Sequence, residues 1–151
     1  MHYAAMCGAV AVCTAAGAAE PFYIGTWRFS AAVVAPWADS ARMTGGGERS
    51  RLMGKTIVFK AKEIAGPPPF ACQGPQYNVI EVTADLLFQG AFGEMQSKDN
   101  SVDPDKLATS LGLSGSRIKT LETGCEIDFH FVDAATAEVG LNDYVYTLRK
   151  R

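Results

Sequence analysis

The stretch Gly25-Thr26-Trp27-Arg28-Phe29-Ser30-Ala31-Ala32-Val33-Val34 decides the fold of this chain. Its first residues alternate between large apolar and polar side chains, with the period of two that is typical of a half-buried β-strand. One predicted face carries Trp27, Phe29, Ala31 and Val33, and the other carries Arg28, Ser30, Ala32 and Val34. Pro36 follows closely and ends the strand, because proline cannot donate a hydrogen bond into a sheet.

The same period of two recurs along most of the chain. It predicts further strands at residues 56–62, 77–83, 86–90, 117–122, 125–132, 136–141 and 144–149. Short turns between the last three predict an antiparallel meander. Residues 102–112 are the one convincing helix, with Asp103 as its cap and Pro104 at its first position, and residues 38–51 are predicted as a loop. The whole predicts an all-β fold, a small antiparallel β-barrel with one short helix.

Gly25-Thr26-Trp27 at the head of the first strand and Arg149 near the end of the last resemble the pattern of the lipocalin-like (calycin) β-barrels. In those barrels an arginine lies over the tryptophan ring. The resemblance implies a lipocalin-like meander in which Trp27 and Arg149 form a structural pair that closes one barrel end. A guanidinium over an indole face contributes roughly 0.5–2 kcal/mol.

Residues 1–19 contain no Asp, Glu, Lys or Arg, and they end in a run of small residues. This pattern predicts an export signal that is cleaved after Ala19, and the segment is short for a membrane span. Residues 20–151 would then form a single β-barrel domain, without a transmembrane segment, in the periplasm or secreted. Two alternatives are lipid attachment at Cys13 or Cys7 and a buried N-terminal helix.

Cys72 and Cys125 are the cysteines that remain after loss of the signal. An even pair in an oxidising compartment predicts a disulfide bond between them. In the chain-entropy model the bond would stabilise the domain by about 4 kcal/mol. The net charge is −2, and no basic field is present, which argues against nucleic acid as a partner.

The sequence offers little for catalysis or for a bound cofactor. His130 is the only histidine after the signal, and alternation places it with Asp128 on the face opposite Phe129 and Phe131, pointing outward and without a positioned nucleophile. Gly54-Lys55-Thr56 lacks the upstream glycine and the following helix of a phosphate-binding loop. We therefore expect no catalytic residue, no metal and no cofactor.

Several aromatic residues fall at strand ends, where they can line the mouth of a barrel. Trp37, Tyr77 and Phe88, with Gln89, are the predicted ligand-binding residues. The resulting hypothesis is a monomeric, non-enzymatic, exported binding protein of the bacterial envelope. Its partner would be a small apolar ligand or an envelope protein such as a lytic enzyme. The alternatives are an envelope hydrolase that uses carboxylates at the barrel mouth and a structural or assembly factor of the envelope.

Overall fold

A computed structural model describes residues 17–43 and 45–151 of the chain. The predicted export signal, with the alternative lipid sites Cys13 and Cys7, lies outside these residues except for positions 17–19. Within the described ranges, no helix is long and apolar enough to cross a membrane.

Nine strands form one antiparallel sheet in the described part of the chain, in the order β4-β3-β2-β1-β9-β8-β7-β6-β5. The strands are β1 Gly25–Val34, β2 Thr56–Phe59, β3 Glu63–Ala65, β4 Cys72–Gln73, β5 Asn78–Val82, β6 Ile118–Glu122, β7 Phe129–Asp133, β8 Thr136–Leu141 and β9 Tyr144–Lys150. The sheet curls into a half-barrel, which confirms the predicted all-β fold. Its last three strands are the predicted meander, joined by short turns.

The helices are α1 Gly47–Leu52, α2 Leu87–Lys98 and α3 Pro104–Ser110, and a 3₁₀ turn spans Ala84–Leu86. The third is the predicted helix, and the Asp103 carboxylate caps it by accepting the backbone N–H groups of Asp105 and Lys106. The strand predicted at residues 86–90 is wrong, because this short apolar run lies in α2 and a short run does not distinguish a strand from a buried helix. The loop predicted at residues 38–51 contains most of α1.

A β-bulge at Ser30 changes which side chains of β1 face inward. Trp27 and Phe29 are buried as predicted, but the pairing with β9 shifts between Phe29 and Ala31. After the bulge Ala32 packs against the core, and Val33 is 49% exposed. The predicted inward positions of Ala31 and Val33 are therefore wrong, because one extra residue inverts the alternation beyond it.

Aromatic side chains fill the concave side of the curled sheet. Trp27, Phe29, Phe59, Phe129 and Tyr146 are each at most 1% exposed. Their rings meet edge to face, for example Phe59 and Phe129 with centroids 4.9 Å apart. Edge-to-face pairs of this kind stabilise a core beyond the area that they bury.

The Cys72–Cys125 disulfide bond is present, as predicted, with the two Cα atoms 6.5 Å apart. It joins β4, at one edge of the sheet, to the segment between β6 and β7. Beside it the Gln76 N–H donates to the Thr123 carbonyl at 2.7 Å. β4 and β5 are the two edge strands of the sheet and do not pair with each other. The disulfide bond and the Gln76 hydrogen bond therefore hold the two edges of the curled sheet near each other.

The cation over the Trp27 ring is Lys150, not Arg149 as the resemblance implied. Trp27 is the register partner of Lys150, and the Lys150 Nζ lies 5.8 Å from the ring centroid. Arg149 pairs with Arg28 on the opposite face and donates to the Thr136 hydroxyl at 3.3 Å. Neighbouring residues of a strand point to opposite faces, so a shift of one residue decides which cation reaches the ring.

Candidate functional site

A second core covers the convex side of the sheet. The 3₁₀ turn, α2 and α3 pack there, and their contacts bury nine apolar residues of the described chain: Ala35, Ala84, Leu87, Phe88, Phe92, Ala108, Leu113, Ile118 and Val145. Because of this cover, outward-facing residues of the central strands are removed from water.

His130 lies under this cover. It points to the face opposite Phe129 and Phe131, as alternation predicts, but it is only 2% exposed. Its Nε2 accepts the backbone N–H of Phe88 at 3.0 Å, and its Nδ1 lies 2.9 Å from the Thr120 hydroxyl. Since Nε2 acts as an acceptor, the neutral ring carries its hydrogen on Nδ1 and donates it to Thr120. Burial lowers the pKa of His130 to about 4.

The backbone that His130 holds is strained. Phe88, Gln89 and Gly90 form a left-handed turn at the start of α2, with φ values of 52°, 59° and 82°. A left-handed conformation costs a non-glycine residue roughly 1–2 kcal/mol. The turn persists because its neighbours determine it: His130 accepts from Phe88, and the Gln89 side-chain amide donates to the Glu126 carbonyl. We call residues 88–90 the left-handed turn.

The left-handed turn forms one wall of an open cavity of about 230 Å³, which we call the outer cleft. Its lining residues are Trp37, Phe88, Gln89, Ala91, Ile127, Asp128, His130, Gly140, Leu141 and Asn142. The Trp37 and Phe88 rings lie 5.2 Å apart, and the Trp37 indole N–H donates to the Asn142 carbonyl at 2.8 Å. A Cβ at Gly140 would lie about 3.0 Å from the Phe88 ring, so a glycine is needed at this position for the Trp37 and Phe88 rings to pack against β8.

Three of the four predicted binding residues meet in the outer cleft: Trp37, Phe88 and Gln89. Tyr77 lies elsewhere. Its ring packs on Tyr23 at 4.9 Å, and its hydroxyl donates to the Lys60 carbonyl at 2.8 Å. Burial raises the pKa of Tyr77 to about 12, as expected for a packed structural residue.

Sequence reasoning missed Ala91, Gly140, Leu141 and Asn142 as cleft residues. The only local signal was the turn at Asn142 and Asp143, which follows Gly140 at the end of β8. That turn does not reveal that Trp37, about one hundred residues earlier, packs beside it. The placement depends on long-range contacts.

A buried carboxyl group stands next to His130 across the sheet. Glu138 is the register partner of His130, is 5% exposed, and accepts the Thr147 hydroxyl at 2.9 Å. Burial raises the pKa of Glu138 to about 7. Asp128, in the outer cleft, also has a raised pKa, because of burial and the nearby charge of Glu122. Buried titratable groups of this kind cluster at functional sites.

Within the described ranges, no group of three or more histidine, cysteine, aspartate or glutamate side chains is placed to hold a metal ion. Both ring nitrogens of His130 are engaged in hydrogen bonds. The arrangement is suited to holding the wall of the outer cleft in a fixed shape.

Comparison with protein-family models, with curated proteins and with solved structures finds no match for the chain.

Proposed function

We propose that this chain is an exported, non-enzymatic binding protein of the bacterial envelope that recognises a partner protein through the outer cleft. One observation carries the proposal: the left-handed turn, with two non-glycine residues, is held by a buried histidine at the wall of this cleft. Strained backbone of this kind persists where the surrounding structure determines it, and it clusters at ligand-binding sites and switch regions.

The shape of the molecule favours a protein partner over an enclosed small apolar ligand. Aromatic side chains occupy the concave side of the sheet, where a barrel would hold such a ligand. The outer cleft has a volume of about 230 Å³. Its lining includes the polar side chains of Gln89, Asp128 and Asn142, which do not suit an apolar ligand. A cleft of this size suits one side chain of a partner, with Trp37 as an aromatic anchor in a partly polar rim.

The chemistry of the cleft supports binding rather than catalysis. His130 has no free nitrogen to act as a base. Asp128 is the only carboxylate among the lining residues, whereas glycoside hydrolysis uses a pair. The raised pKa of Asp128 is the one observation that favours the alternative of an envelope hydrolase. The disulfide bond is typical of an oxidising compartment and supports a periplasmic or secreted location.

Site-specific photo-cross-linking tests the proposal. A benzophenone amino acid at Ala91 in the outer cleft should capture one defined envelope protein. The same group at Val79, which is 41% exposed on β5, is the matched control and should not capture it. Adding Trp37→Ala to the Ala91 probe should abolish the product. Equal capture at both positions, or a small molecule bound in native mass spectrometry and lost with Trp37→Ala, would contradict the proposal.

A further inference from the structure

A second cavity lies apart from the outer cleft and shares none of its lining residues. It has a volume of about 260 Å³ and is lined by Phe22, Lys119, Phe131, Val132, Asp133 and Ala134. We call it the end pocket. Phe22, just before β1, packs edge to face on Phe131 with ring centroids 4.8 Å apart. These two rings and the Ala134 methyl group make part of its wall apolar.

Lys119 supplies a positive charge at this wall. Its Nζ lies 5.1 Å from the Phe22 ring centroid. Its cross-strand neighbour is Glu81, yet the ion pairs found in the described ranges all join residues three or four apart and do not include Lys119. Lys119 is exposed, so its ammonium group lies beside an aromatic surface and is open to an anion.

Asp133 is the other charged residue of the end pocket, and its carboxylate is already engaged. It accepts the Ala135 N–H at 2.8 Å, and this bond is the main reason that the pKa of Asp133 is lowered. Arg149 provides a positive charge nearby, which acts in the same direction. The Asp133 carboxylate is thus already engaged, whereas no ion pair of Lys119 is found in the described ranges, where Glu81 is its neighbour on the adjacent strand.

We propose that the end pocket binds a small apolar monocarboxylate, with its carboxylate on the Lys119 ammonium and its hydrocarbon part against Phe22 and Phe131. The pairing gives the Lys119 ammonium group an anionic partner and places the hydrocarbon part of the ligand against the two aromatic rings. The volume of about 260 Å³ limits the ligand to the size of a substituted benzene ring and excludes a long acyl chain. This site is independent of the function proposed for the outer cleft.

Tryptophan fluorescence can report on the end pocket. The chain has two tryptophans, and the Trp27 ring lies 5.6 Å from Phe131. A Trp37→Phe background leaves Trp27 as the only reporter and removes the signal of the outer cleft. Phenylacetate is the probe, and phenylacetamide is the uncharged control of the same shape. We expect a saturable change with phenylacetate and binding at least about tenfold weaker with phenylacetamide.

Variants at Lys119 separate a charge contact from a general apolar effect. Lys119→Met keeps the aliphatic stem and should weaken phenylacetate by about tenfold while leaving phenylacetamide unchanged, and Lys119→Arg should restore phenylacetate binding. Thermal unfolding checks that each variant is folded. Equal binding of the two probes, no saturable change with phenylacetate, or tighter binding of laurate than of phenylacetate would overturn the proposal.

Discussion

The two faces of β7 show how one strand serves two purposes. Phe129 and Phe131 point into the concave core, where aromatic rings pack on each other. His130, between them, points to the convex side, where it is buried with Thr120 and Glu138 and holds a strained turn. The concave side gains stability from apolar packing, whereas the convex side bears the costs of buried polar groups and left-handed backbone. Such costs are maintained where they shape a site.

The two tryptophans give the sharpest test of this difference, with the largest expected effect. Trp27→Ala removes a fully buried ring and should lower the free energy of unfolding by about 3–5 kcal/mol. Trp37→Ala removes a half-buried ring from the outer cleft and should cost about 1–2 kcal/mol. Chemical denaturation of both variants measures the two values. Equal losses would mean that the concave core is not the main source of stability.

The disulfide bond connects the edge strand β4 to the β6–β7 segment, so its loss should loosen the curl that both faces depend on. Replacing Cys72 and Cys125 together by serine should cost about 2–4 kcal/mol, since the bond closes a long loop of the unfolded chain. Thermal unfolding with and without reductant measures the effect. Reductant should lower the Tm of the natural chain and leave that of the double variant unchanged. An unchanged Tm of the natural chain would contradict the expectation.

The pH dependence of stability distinguishes the convex side from the concave side. The folded pKa of His130, about 4, lies below its ordinary value of 6.5, so the unfolded chain binds more protons between these values. The contribution of His130 to the free energy of unfolding is present above pH 6.5 and is lost as the pH falls to about 4. The loss is up to about 3 kcal/mol. His130→Gln keeps an acceptor for the Phe88 N–H and does not titrate. The free energy of unfolding of this variant should therefore fall less between pH 6.5 and pH 4 than that of the natural chain. Parallel profiles of the two proteins would exclude this role for His130.

Glu138 should affect the stability with the opposite sign and a similar size. Its folded pKa, about 7, lies above its ordinary value of 4.5, so its contribution is present below pH 4.5 and is lost as the pH rises through 7. The loss is up to about 3 kcal/mol, as for His130, because the two pKa values shift by similar amounts. Glu138→Gln should remove this pH dependence. In urea titrations, the free energy of unfolding of the variant should therefore rise relative to that of the natural chain between pH 4.5 and pH 8. No gain over this range would show that Glu138 is ionised at little cost.

The two sides of the sheet also differ in how far the sequence predicts them. Alternation is local, so it predicts the strands of the concave core and the inward direction of Trp27, Phe29, Phe129 and Phe131. The cap at Asp103 is also local, and it predicts α3. The sequence does not predict the helix α2, because Gly90 and Gly93 lower its helix propensity. Gly93 is required by packing, since a Cβ there would lie 2.9 Å from the Asp85 carbonyl oxygen.

The outer cleft could be predicted only in part for the same reason. Aromatic residues at strand ends indicated Trp37 and Phe88, but Tyr77 has the same local pattern and packs elsewhere. The burial of His130 depends on a turn about forty residues earlier in the chain. No propensity predicts a left-handed Phe88 and Gln89, because only their tertiary partners stabilise that conformation.

His130 holds the left-handed turn through its Nε2 atom, and NMR measures this hydrogen bond directly. In ¹⁵N-labelled protein at neutral pH, we expect a coupling across the hydrogen bond between the Phe88 amide nitrogen and His130 Nε2. The ring should carry its hydrogen on Nδ1 and remain neutral until the pH approaches about 4. A hydrogen on Nε2, an absent coupling, or titration of His130 near pH 6.5 would show that His130 does not hold the left-handed turn.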